Sequence, residues 1–192
     1  MNSFYSPEEL KDLGLKEYGE NVLISRKCSI YGAGNISLGS NVRMDDFCLL
    51  SGNIRLGNYV HIAVGSLLFA GSEGITMEDY TGLASRCAIY ARSDDYSGEH
   101  MTNQVVPAQY TGVSGAPVHL GKHCILGTGC TVLPGVTLAE GCSVGAMSLI
   151  TRSTEPWGIY IGIPARRVKE RSRKLLEYCA ELEHQLQAKE KV

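Results

Sequence analysis

The sequence lacks several features that would assign it to common functional classes. Its 18 Lys and Arg residues against 20 Asp and Glu residues give a formal charge of −2, so no charge excess favours nucleic acid or an anionic membrane as a partner. No apolar run approaches the roughly 20 residues of a membrane-spanning helix. The first residues contain no basic segment followed by an apolar core, so no secretory signal is expected and we predict a cytoplasmic location.

The cysteines form no C-x-x-C pair, which argues against a zinc knuckle or a thioredoxin-type redox site. Six of the seven instead follow a large apolar residue by four positions, where cysteine acts as a small hydrophobic side chain. These six are Cys28, Cys48, Cys87, Cys124, Cys130 and Cys142. Cys124 and Cys142 are expected to stack on neighbouring turns, but we expect reduced thiols in a cytosolic protein.

A period of six residues organises the segment from Val118 to Thr151. Large aliphatic residues recur at every sixth position, namely Leu120, Leu126, Val132, Leu138, Val144 and Ile150. This period fits neither an α-helix nor a simple alternating strand, and it predicts hexapeptide repeats whose short strands wind into a parallel β-helix. One turn cannot bury its apolar side chains alone, whereas stacked turns share a continuous core.

The same period runs through an earlier block, from about Val22 to Leu68, and resumes at Met77. It slips by two residues around 32–34 and by three at 71–74, where we expect bulged corners. Residues 91–116 are polar and aperiodic. A segment of this length inside a compact domain is either functional or disordered, and its carboxylates and histidine favour function.

The predicted organisation therefore has three parts. Residues 1–20 form a helical lead-in, with Ser6 and Pro7 at the helix start, Glu9 closing a capping box and Gly14 at the helix end. Residues 21–164 form an all-β solenoid with the extruded loop 91–116. Residues 165–192 form a C-terminal helix and tail, and the helix is predicted from about Val168 to residue 188 because its apolar stripe has helical spacing.

The repeats, the loop and the sequence G-I-P-A-R at 162–166 together resemble the hexapeptide-repeat acetyltransferases, in particular the galactoside, maltose and capsular-polysaccharide O-acetyltransferases. The resemblance spans roughly residues 38–169. It implies a left-handed parallel β-helix, acetyl-CoA as the acetyl donor and no required metal. It also implies a homotrimer with active sites between subunits, a saccharide acceptor, no nucleic-acid partner and no insertion into a membrane.

The resemblance further implies a binding site for CoA. The matching positions are Thr128, Ala146, Thr151, Arg152, Arg166 and Lys169. In the family, the first two hold the pantetheine arm through backbone groups, the next two lie near the CoA phosphates, and the last two lie near the adenosine phosphates. Arg and Lys suit these phosphates chemically. The alternative for Arg166, Arg167 and Lys169 is a solvated helix start. Trp157 either stacks on the adenine or caps the end of the core.

The reaction needs a base to take the proton of the acceptor hydroxyl, and histidine is the usual choice. Galactoside-type enzymes place a histidine in the extruded loop, where this chain has Asp94. His61 lies between two inward residues and must point outward, towards the acceptor pocket in the family, and Asp94 or Asp95 would orient it. His100 in the loop is the second candidate. The alternatives are an ordinary surface histidine and, for the aspartates, a turn.

We therefore expect direct acetyl transfer from acetyl-CoA to a sugar hydroxyl in O-antigen, capsule or exopolysaccharide (lipopolysaccharide-type) synthesis, because no exposed thiol is available for an acyl-enzyme. N-acetylation of a nucleotide-linked amino sugar and a non-catalytic scaffold are the alternatives. A γ-type carbonic anhydrase needs three converging histidines, and His61, His119 and His123 lack that spacing. His119, His123 and His184 are expected to face solvent.

Overall fold

Each hexad forms a short strand because its large aliphatic residue points inward and the chain turns at the next small residue. In the computed structural model, which describes residues 3–189, these strands stack into three parallel ladders that form the faces of a prism. The predicted β-solenoid is confirmed. Residues 1–2 of the predicted lead-in and residues 190–192 of the predicted tail lie outside the described residues.

Three faces follow one another along every turn, and we number them in that order. Face 1 contains β2 (Leu23–Ile24), β5 (Arg43–Met44), β7 (His61–Ile62), β9 (Gly82–Leu83), β14 (Ile125–Leu126), β17 (Ser143–Val144) and β19 (Gly158–Gly162). Face 2 contains β3 (Ser29–Tyr31), the first parts of β6 (Leu49–Leu56) and β8 (Leu67–Met77), β10 (Ala88–Tyr90), β15 (Thr131–Val132) and β18 (Leu149–Ile150). Face 3 contains β1 (Glu17–Tyr18), β4 (Ile36–Leu38), the last parts of β6 and β8, β13 (Val118–Leu120) and β16 (Thr137–Leu138). Edge A joins faces 1 and 2, edge B joins faces 2 and 3, and edge C joins faces 3 and 1.

The interior of the prism holds the side chains that the period of six placed there. The six aliphatic residues that recur at every sixth position of the Val118–Thr151 segment are each at most 4% exposed. The predicted inward slot of the cysteines is confirmed for five of the six, while Cys28 is half-buried, and all seven cysteines are free thiols. The buried thiols also donate to carbonyls at the corners, as Cys124 Sγ does to Ala139 O at 3.1 Å. Cysteine therefore fills space and satisfies a buried carbonyl at once.

All interruptions of the period lie at edge B. The first slip is a single 3-10 turn at Ala33–Asn35. The second is a bulge inside β8, where the pairing with β6 passes from Gly52↔Gly71 to Ile54↔Ile75. A Cβ on Gly52 would come within 2.3 Å of the Gly71 carbonyl oxygen, so glycine is needed for this close approach. Extra residues are thus accommodated at one edge, and the two other edges keep the stack regular.

The extruded loop also leaves from edge B and has its own hydrogen-bonded structure. Its stem is an antiparallel pair of β11 (Arg92–Ser93) and β12 (Ser114–Gly115), and a 3-10 turn covers Ala108–Tyr110. Below the stem the Ala116 N–H donates to the Ala91 carbonyl at 2.9 Å. The two ends of the loop therefore meet, and the chain re-enters face 3 in register with β8.

The N-terminal helix α1 (Pro7–Asp12) begins as predicted. The Ser6 side chain accepts from the Glu9 N–H, the Glu9 side chain accepts from the Ser6 N–H, and Gly14 follows the helix end with a φ of 69°.

The predicted start of the C-terminal helix at Val168 is wrong. Residues Ala165–Glu170 form β20, which pairs antiparallel with β19, and α2 covers only Leu175–Lys189. The last strand of face 1 would otherwise leave its backbone groups unpaired, and β20 satisfies them. The hairpin crosses the predicted boundary between residues 164 and 165. Neither described helix is long and apolar enough to cross a membrane.

A column of aromatic rings runs along edge C. The ring centroids of Tyr59 and Tyr80 are 5.0 Å apart, those of Tyr80 and His123 are 5.1 Å apart, and Trp157 follows at 6.3 Å from His123. His123 is 8% exposed, so the expectation that it faces solvent is wrong, because neighbouring turns cover both faces of its ring. Gly141 occupies the corner between His123 and Trp157 and leaves room for the indole.

Gly14 and Gly141 provide a matched test of this packing. Their φ values are 69° and 71°, but a Cβ on Gly14 meets nothing within 4 Å, whereas one on Gly141 lies 2.4 Å from the Trp157 ring. We expect Gly14→Ala to cost about 1–2 kcal/mol in backbone strain. Gly141→Ala should cost about 1–3 kcal/mol more because the indole must move. Urea unfolding followed by the fluorescence of Trp157 measures both, and equal losses would contradict the packing.

Candidate active site

His61 points outward from face 1, as predicted. Its neighbours Val60 and Ile62 are buried in the prism, at 1% and 0% exposure, so alternation along β7 directs the imidazole to the surface. The His61 Nε2 atom lies 2.8 Å from Asp45 Oδ2. About half of the His61 side chain is exposed, so part of the imidazole ring is open to a ligand.

Asp45 is the partner of His61 that sequence reasoning missed. It follows β5, two residues after Arg43, and Arg43 pairs in register with His61 on the next turn. Burial raises the pKa of Asp45, but hydrogen bonds from His61 and Arg43 outweigh it, so the pKa is lowered and the carboxylate is ionised. The sequence position of Asp45 could have revealed it. Asp45 takes an outward-facing position just after β5, on the turn that precedes His61.

A cavity of about 340 Å³ opens beside Asp45. It is lined by Ser3, Phe4, Arg43, Asp45, Asp46 and Val64. The guanidinium of Arg43 lies 5.2 Å from the centroid of the Phe4 ring, and its Nε donates to Asp45 Oδ1 at 2.7 Å. An imidazole, a carboxylate and a guanidinium are thus linked at the mouth of a small cleft, an arrangement that can move a proton at the His61 ring.

Neither Asp94 nor Asp95 contacts His61 within this chain, and their pairing with His61 stays a prediction for the loop of a neighbouring subunit. The physical reason is the topology: the loop leaves from edge B, which lies opposite face 1, and Asp45 already occupies the position next to His61. The candidate residues therefore lie on two different sides of the prism.

The two aspartates of the loop have different surroundings. Asp95 accepts from the Ser97 hydroxyl at 2.6 Å, the Ser97 N–H at 2.7 Å and the His100 N–H at 2.7 Å. These hydrogen bonds lower the pKa of Asp95 to about 2. The Asp94 side chain is half-buried and has no hydrogen bond to a described residue. Asp95 therefore organises the loop, and Asp94 keeps its oxygens available.

His100, the second candidate base, packs against the loop rather than against the solenoid wall. Its ring Nδ1 lies 3.5 Å from Asp95 Oδ2, and a Cβ on Gly112 would come within 2.6 Å of the ring. The His100 side chain is about half exposed. The structure thus brings His100 and Asp95 together and separates both from His61.

Two of the predicted CoA-binding positions, Thr128 and Ala146, stack on successive turns at edge A. The Met147 N–H donates to the Thr128 carbonyl at 2.8 Å. Gly127 precedes Thr128, and a Cβ there would lie 2.5 Å from the Ala146 nitrogen, so the corner is tightly closed. Arg166 pairs with Ile161 near the hairpin turn, above the same edge.

The other predicted CoA residues lie elsewhere. Thr151 and Arg152 follow β18 towards edge B, and Lys169 pairs with Ile159 at the opposite end of β19. Trp157 is 4% exposed at edge C, and the Arg173 guanidinium lies 5.4 Å from its ring, so its surroundings favour packing over adenine stacking. A single chain does not gather this set into one groove.

The basic residues of the C-terminal hairpin fall into two groups. Arg167 forms ion pairs with Glu170 at 2.9 Å and with Glu155 at 3.8 Å. Arg166 and Lys169 are exposed and have no carboxylate partner within residues 3–189, and the same holds for Arg152. The alternative of a solvated helix start is wrong, because these residues belong to β20. The unpaired cations are available to an anionic ligand.

No group of three or more His, Cys, Asp or Glu side chains suited to a metal ion occurs among the residues described. His61 lies on face 1, His119 lies on face 3 beside Glu78 at 3.2 Å, and His123 is buried at edge C. These three histidines therefore do not converge within one chain.

Comparisons with known proteins agree with this arrangement. Residues 117–152 match the family model described as bacterial transferase hexapeptide (six repeats). The chain is 47% identical over 172 residues to a dTDP-4-amino-4,6-dideoxy-D-glucose acyltransferase of Escherichia coli, covering 88% of this chain and 89% of that protein. It is 28% identical over 160 residues to WbbJ of E. coli K12, a putative O-acetyltransferase of lipopolysaccharide biosynthesis, covering 77% of this chain and 78% of that protein.

Among solved structures, AntD from Bacillus cereus, an N-acyltransferase, matches with a TM-score of 0.95 and 47% identity over 96% of this chain and 100% of that chain. This AntD variant, in which a serine is replaced by alanine, was solved with dTDP-4-amino-4,6-dideoxyglucose and coenzyme A. Variants with a replaced aspartate and a complex with dTDP and 3-hydroxybutyryl-CoA were also solved. A maltose O-acetyltransferase of Clostridium difficile shares the fold at 21% identity and a TM-score of 0.54.

The neighbouring residues Asp94 and Asp95 provide a matched test of the loop. Asp95→Asn removes the ionised acceptor of three hydrogen bonds, so we expect faster proteolytic cleavage within residues 91–116, whereas Asp94→Asn should leave the cleavage rate unchanged. The pKa of Asp95 is lowered to about 2 in the folded loop. Its ionised form therefore stabilises the loop fully above the unfolded pKa of about 3.9, and this stabilisation is lost as the pH falls through about 2. Equal cleavage rates in the two variants would contradict this role.

Proposed function

Because the chain belongs to the hexapeptide-repeat transferases, we propose that it is an acyl-CoA-dependent N-acyltransferase whose acceptor is the amine of a nucleotide-linked amino sugar. The observation that carries this proposal is the 47% identity, over nearly the whole of both chains, to an acyltransferase of a dTDP-linked amino sugar. The relatives that modify hydroxyl groups are more distant, at 28% and 21% identity, which favours nitrogen over the hydroxyl expected from sequence.

The proposed donor is a CoA thioester, as in the AntD complexes with coenzyme A and 3-hydroxybutyryl-CoA. Thr128 and Ala146 would contact the pantetheine arm along edge A. Arg152, Arg166 and Lys169 have no ion-pair partner of their own in the described chain, so each can bind a phosphate of CoA without first breaking a salt bridge. The acyl group transferred is acetyl or a longer acyl chain.

The proposed reaction is a direct transfer. The acceptor nitrogen attacks the thioester carbonyl, a C–N bond forms, the C–S bond breaks and CoA leaves as its thiol after taking up a proton. The nitrogen must lose a proton for the amide to form, and His61 is the proposed acceptor of that proton. No acyl-enzyme is needed, and the repeat cysteines are buried or half-buried.

The acceptor amine needs polar partners, and the loop offers them. The serine and the aspartate replaced in AntD lie ten positions apart, as do Ser85 and Asp95 here, which supports a role for both. Ionised carboxylates have about four acceptor sites, and Asp95 uses three of them within the loop. One site therefore stays open to an amine, and Asp94 beside it has all of its sites open.

We further propose assembly as a homotrimer with sites between subunits. Ser85 lies at edge A and the loop begins after Ala91 at edge B, six residues further along the chain, which is at most about 20 Å at roughly 3.3 Å per residue. A neighbouring subunit would bring a second loop towards edge A and towards His61. Exposed apolar side chains near that edge, among them Phe47 at 63% and Met147 at 66%, suit such a contact. Light scattering on the assayed sample should give the mass of three chains, and a monomer would contradict this part.

The acceptor class is tested with a matched pair of nucleotide sugars. We expect dTDP-4-amino-4,6-dideoxyglucose to be acylated, with release of CoA thiol and a product that resists hydroxylamine, because an amide is less reactive than an ester. The control acceptor dTDP-6-deoxyglucose carries a hydroxyl in place of the amine and should react at least about 100-fold more slowly. Preferred acylation of the hydroxyl sugar, with a product that hydroxylamine cleaves, would overturn the proposal in favour of O-acylation.

The unpaired cations give a second prediction. Arg166→Ala and Arg152→Ala should each raise the KM for acyl-CoA by about 10-fold and leave kcat nearly unchanged, because each removes a charge-assisted hydrogen bond to a phosphate. Lys11→Ala, on the distant helix α1, is the control and should leave KM unchanged. The assay is then repeated with an acyl donor made from dephospho-CoA, which lacks the 3′-phosphate. The variant whose lost cation binds that phosphate should have the same KM as the wild type for this donor. An unchanged KM in both variants would contradict these contacts.

A further inference from the structure

We propose that Asp45 is a positioning residue for the acyl transfer, which holds the hydrogen of His61 on Nε2 and so leaves the lone pair on Nδ1 to take the proton of the attacking nitrogen. The inference rests on the proposed function, in which His61 is the base. It names the residue that sets the tautomer of His61 and the ring nitrogen that takes the proton.

The tautomer follows from the contact between the two side chains. An ionised carboxylate can only accept hydrogen bonds, so the atom 2.8 Å from Asp45 Oδ2, which is His61 Nε2, must carry the hydrogen. A neutral imidazole has one N–H and one lone pair, and the lone pair is then on Nδ1. A base must present a lone pair towards its substrate, and Asp45 fixes which ring atom does so.

Arg43 keeps Asp45 in place. Its Nε donates to Asp45 Oδ1 at 2.7 Å, so each carboxylate oxygen has one partner and the group cannot rotate without breaking a hydrogen bond. The Arg43 guanidinium also lies over the Phe4 ring. The Asp45 side chain is 21% exposed and that of His61 is 51% exposed, so the carboxylate is covered while the imidazole stays open.

Backbone pairing makes this arrangement rigid. Arg43 and His61 are partners on adjacent strands of face 1, and the flanking residues Met44 and Ile62 are fully buried. Neighbouring strands lie about 4.8 Å apart, so the side chains of adjacent turns meet without any contribution from a mobile loop. A base built on the wall is positioned more precisely than one built on a loop.

The other histidines with a carboxylate neighbour lack this combination. His100 approaches Asp95 only at 3.5 Å, and Asp95 already accepts three other hydrogen bonds. His119 lies 3.2 Å from Glu78, whose side chain is 41% exposed and whose other oxygen accepts from a backbone N–H. Among the three histidine–carboxylate contacts of residues 3–189, that of His61 is the shortest. Its carboxylate is less exposed than that of Glu78, and only that of Asp95 is more buried.

The test uses Asp45→Asn and Asp45→Glu, with Glu78→Gln as the control that removes the carboxylate beside His119. We expect Asp45→Asn to lower kcat by on the order of 10- to 100-fold, part of the usual contribution of a general base, with KM for both substrates within about twofold. Asp45→Glu should restore part of the loss, and Glu78→Gln should be unchanged. If Asp45 had only a structural role, Asp45→Asn would lower the stability of the protein but would not lower kcat while leaving KM unchanged.

A double-mutant cycle makes the dependence on His61 explicit. If Asp45 acts through His61, adding Asp45→Asn to His61→Gln should lower kcat little further, whereas independent residues would multiply their effects. Multiplied effects, or an unchanged kcat in Asp45→Asn, would overturn the inference.

The tautomer itself is read by NMR on protein labelled at histidine. We expect the nitrogen and Cδ2 shifts of His61 to report hydrogen on Nε2 in the wild type and a mixture of tautomers in Asp45→Ala. Hydrogen on Nδ1 in the wild type would overturn the inference. This readout needs no acceptor, so a protein that forms no amide would disprove the proposed function while the shifts still decide whether Asp45 sets the tautomer.

Discussion

Close stacking of one turn on the next is the constraint on which the rest of this structure depends. At the corners the backbones approach so closely that a Cβ on Gly39 would lie 2.6 Å from the Gly57 carbonyl, and one on Gly127 would lie 2.5 Å from the Ala146 nitrogen. Glycine at these corners lets the strands pair in strict register. The register then lines up outward side chains from successive turns, which is how Arg43 comes beside His61.

The same constraint separates the regular part of the prism from its irregular part. Edges A and C keep the stack tight, and edge C is filled by the Tyr59–Tyr80–His123 column. Every slip and the long loop lie at edge B, where an extra residue does not disturb the inner face. The proposed base is on the regular face 1, and the loop aspartates proposed for the acceptor amine are at the irregular edge, so the proposed site combines residues of more than one subunit.

The sequence predicted the solenoid well, because an inward position depends only on its own hexad, and Leu120 or Ile150 is buried for the same local reason as every equivalent residue. Predictions failed where contacts with distant residues determine the secondary structure or the burial of a side chain. Val168 lies in a strand because β19 needed a partner, and His123 is buried because rings on other turns cover it. Asp45 was missed because its role appears only when two turns are superimposed. The proposed amine acceptor was only the alternative at the level of the sequence, because the repeat carries no information about the acceptor.

The meeting of Ala91 and Ala116 has a consequence for how such proteins diversify. Their 2.9 Å hydrogen bond closes the loop at its base, and the next strand re-enters the ladder in the register it would have without the insertion. The register of the solenoid therefore does not depend on the length of the loop between these two residues. Sequence changes inside the loop can therefore alter the proposed acceptor contacts without shifting the strands of the solenoid, so acceptor choice and fold could evolve almost independently.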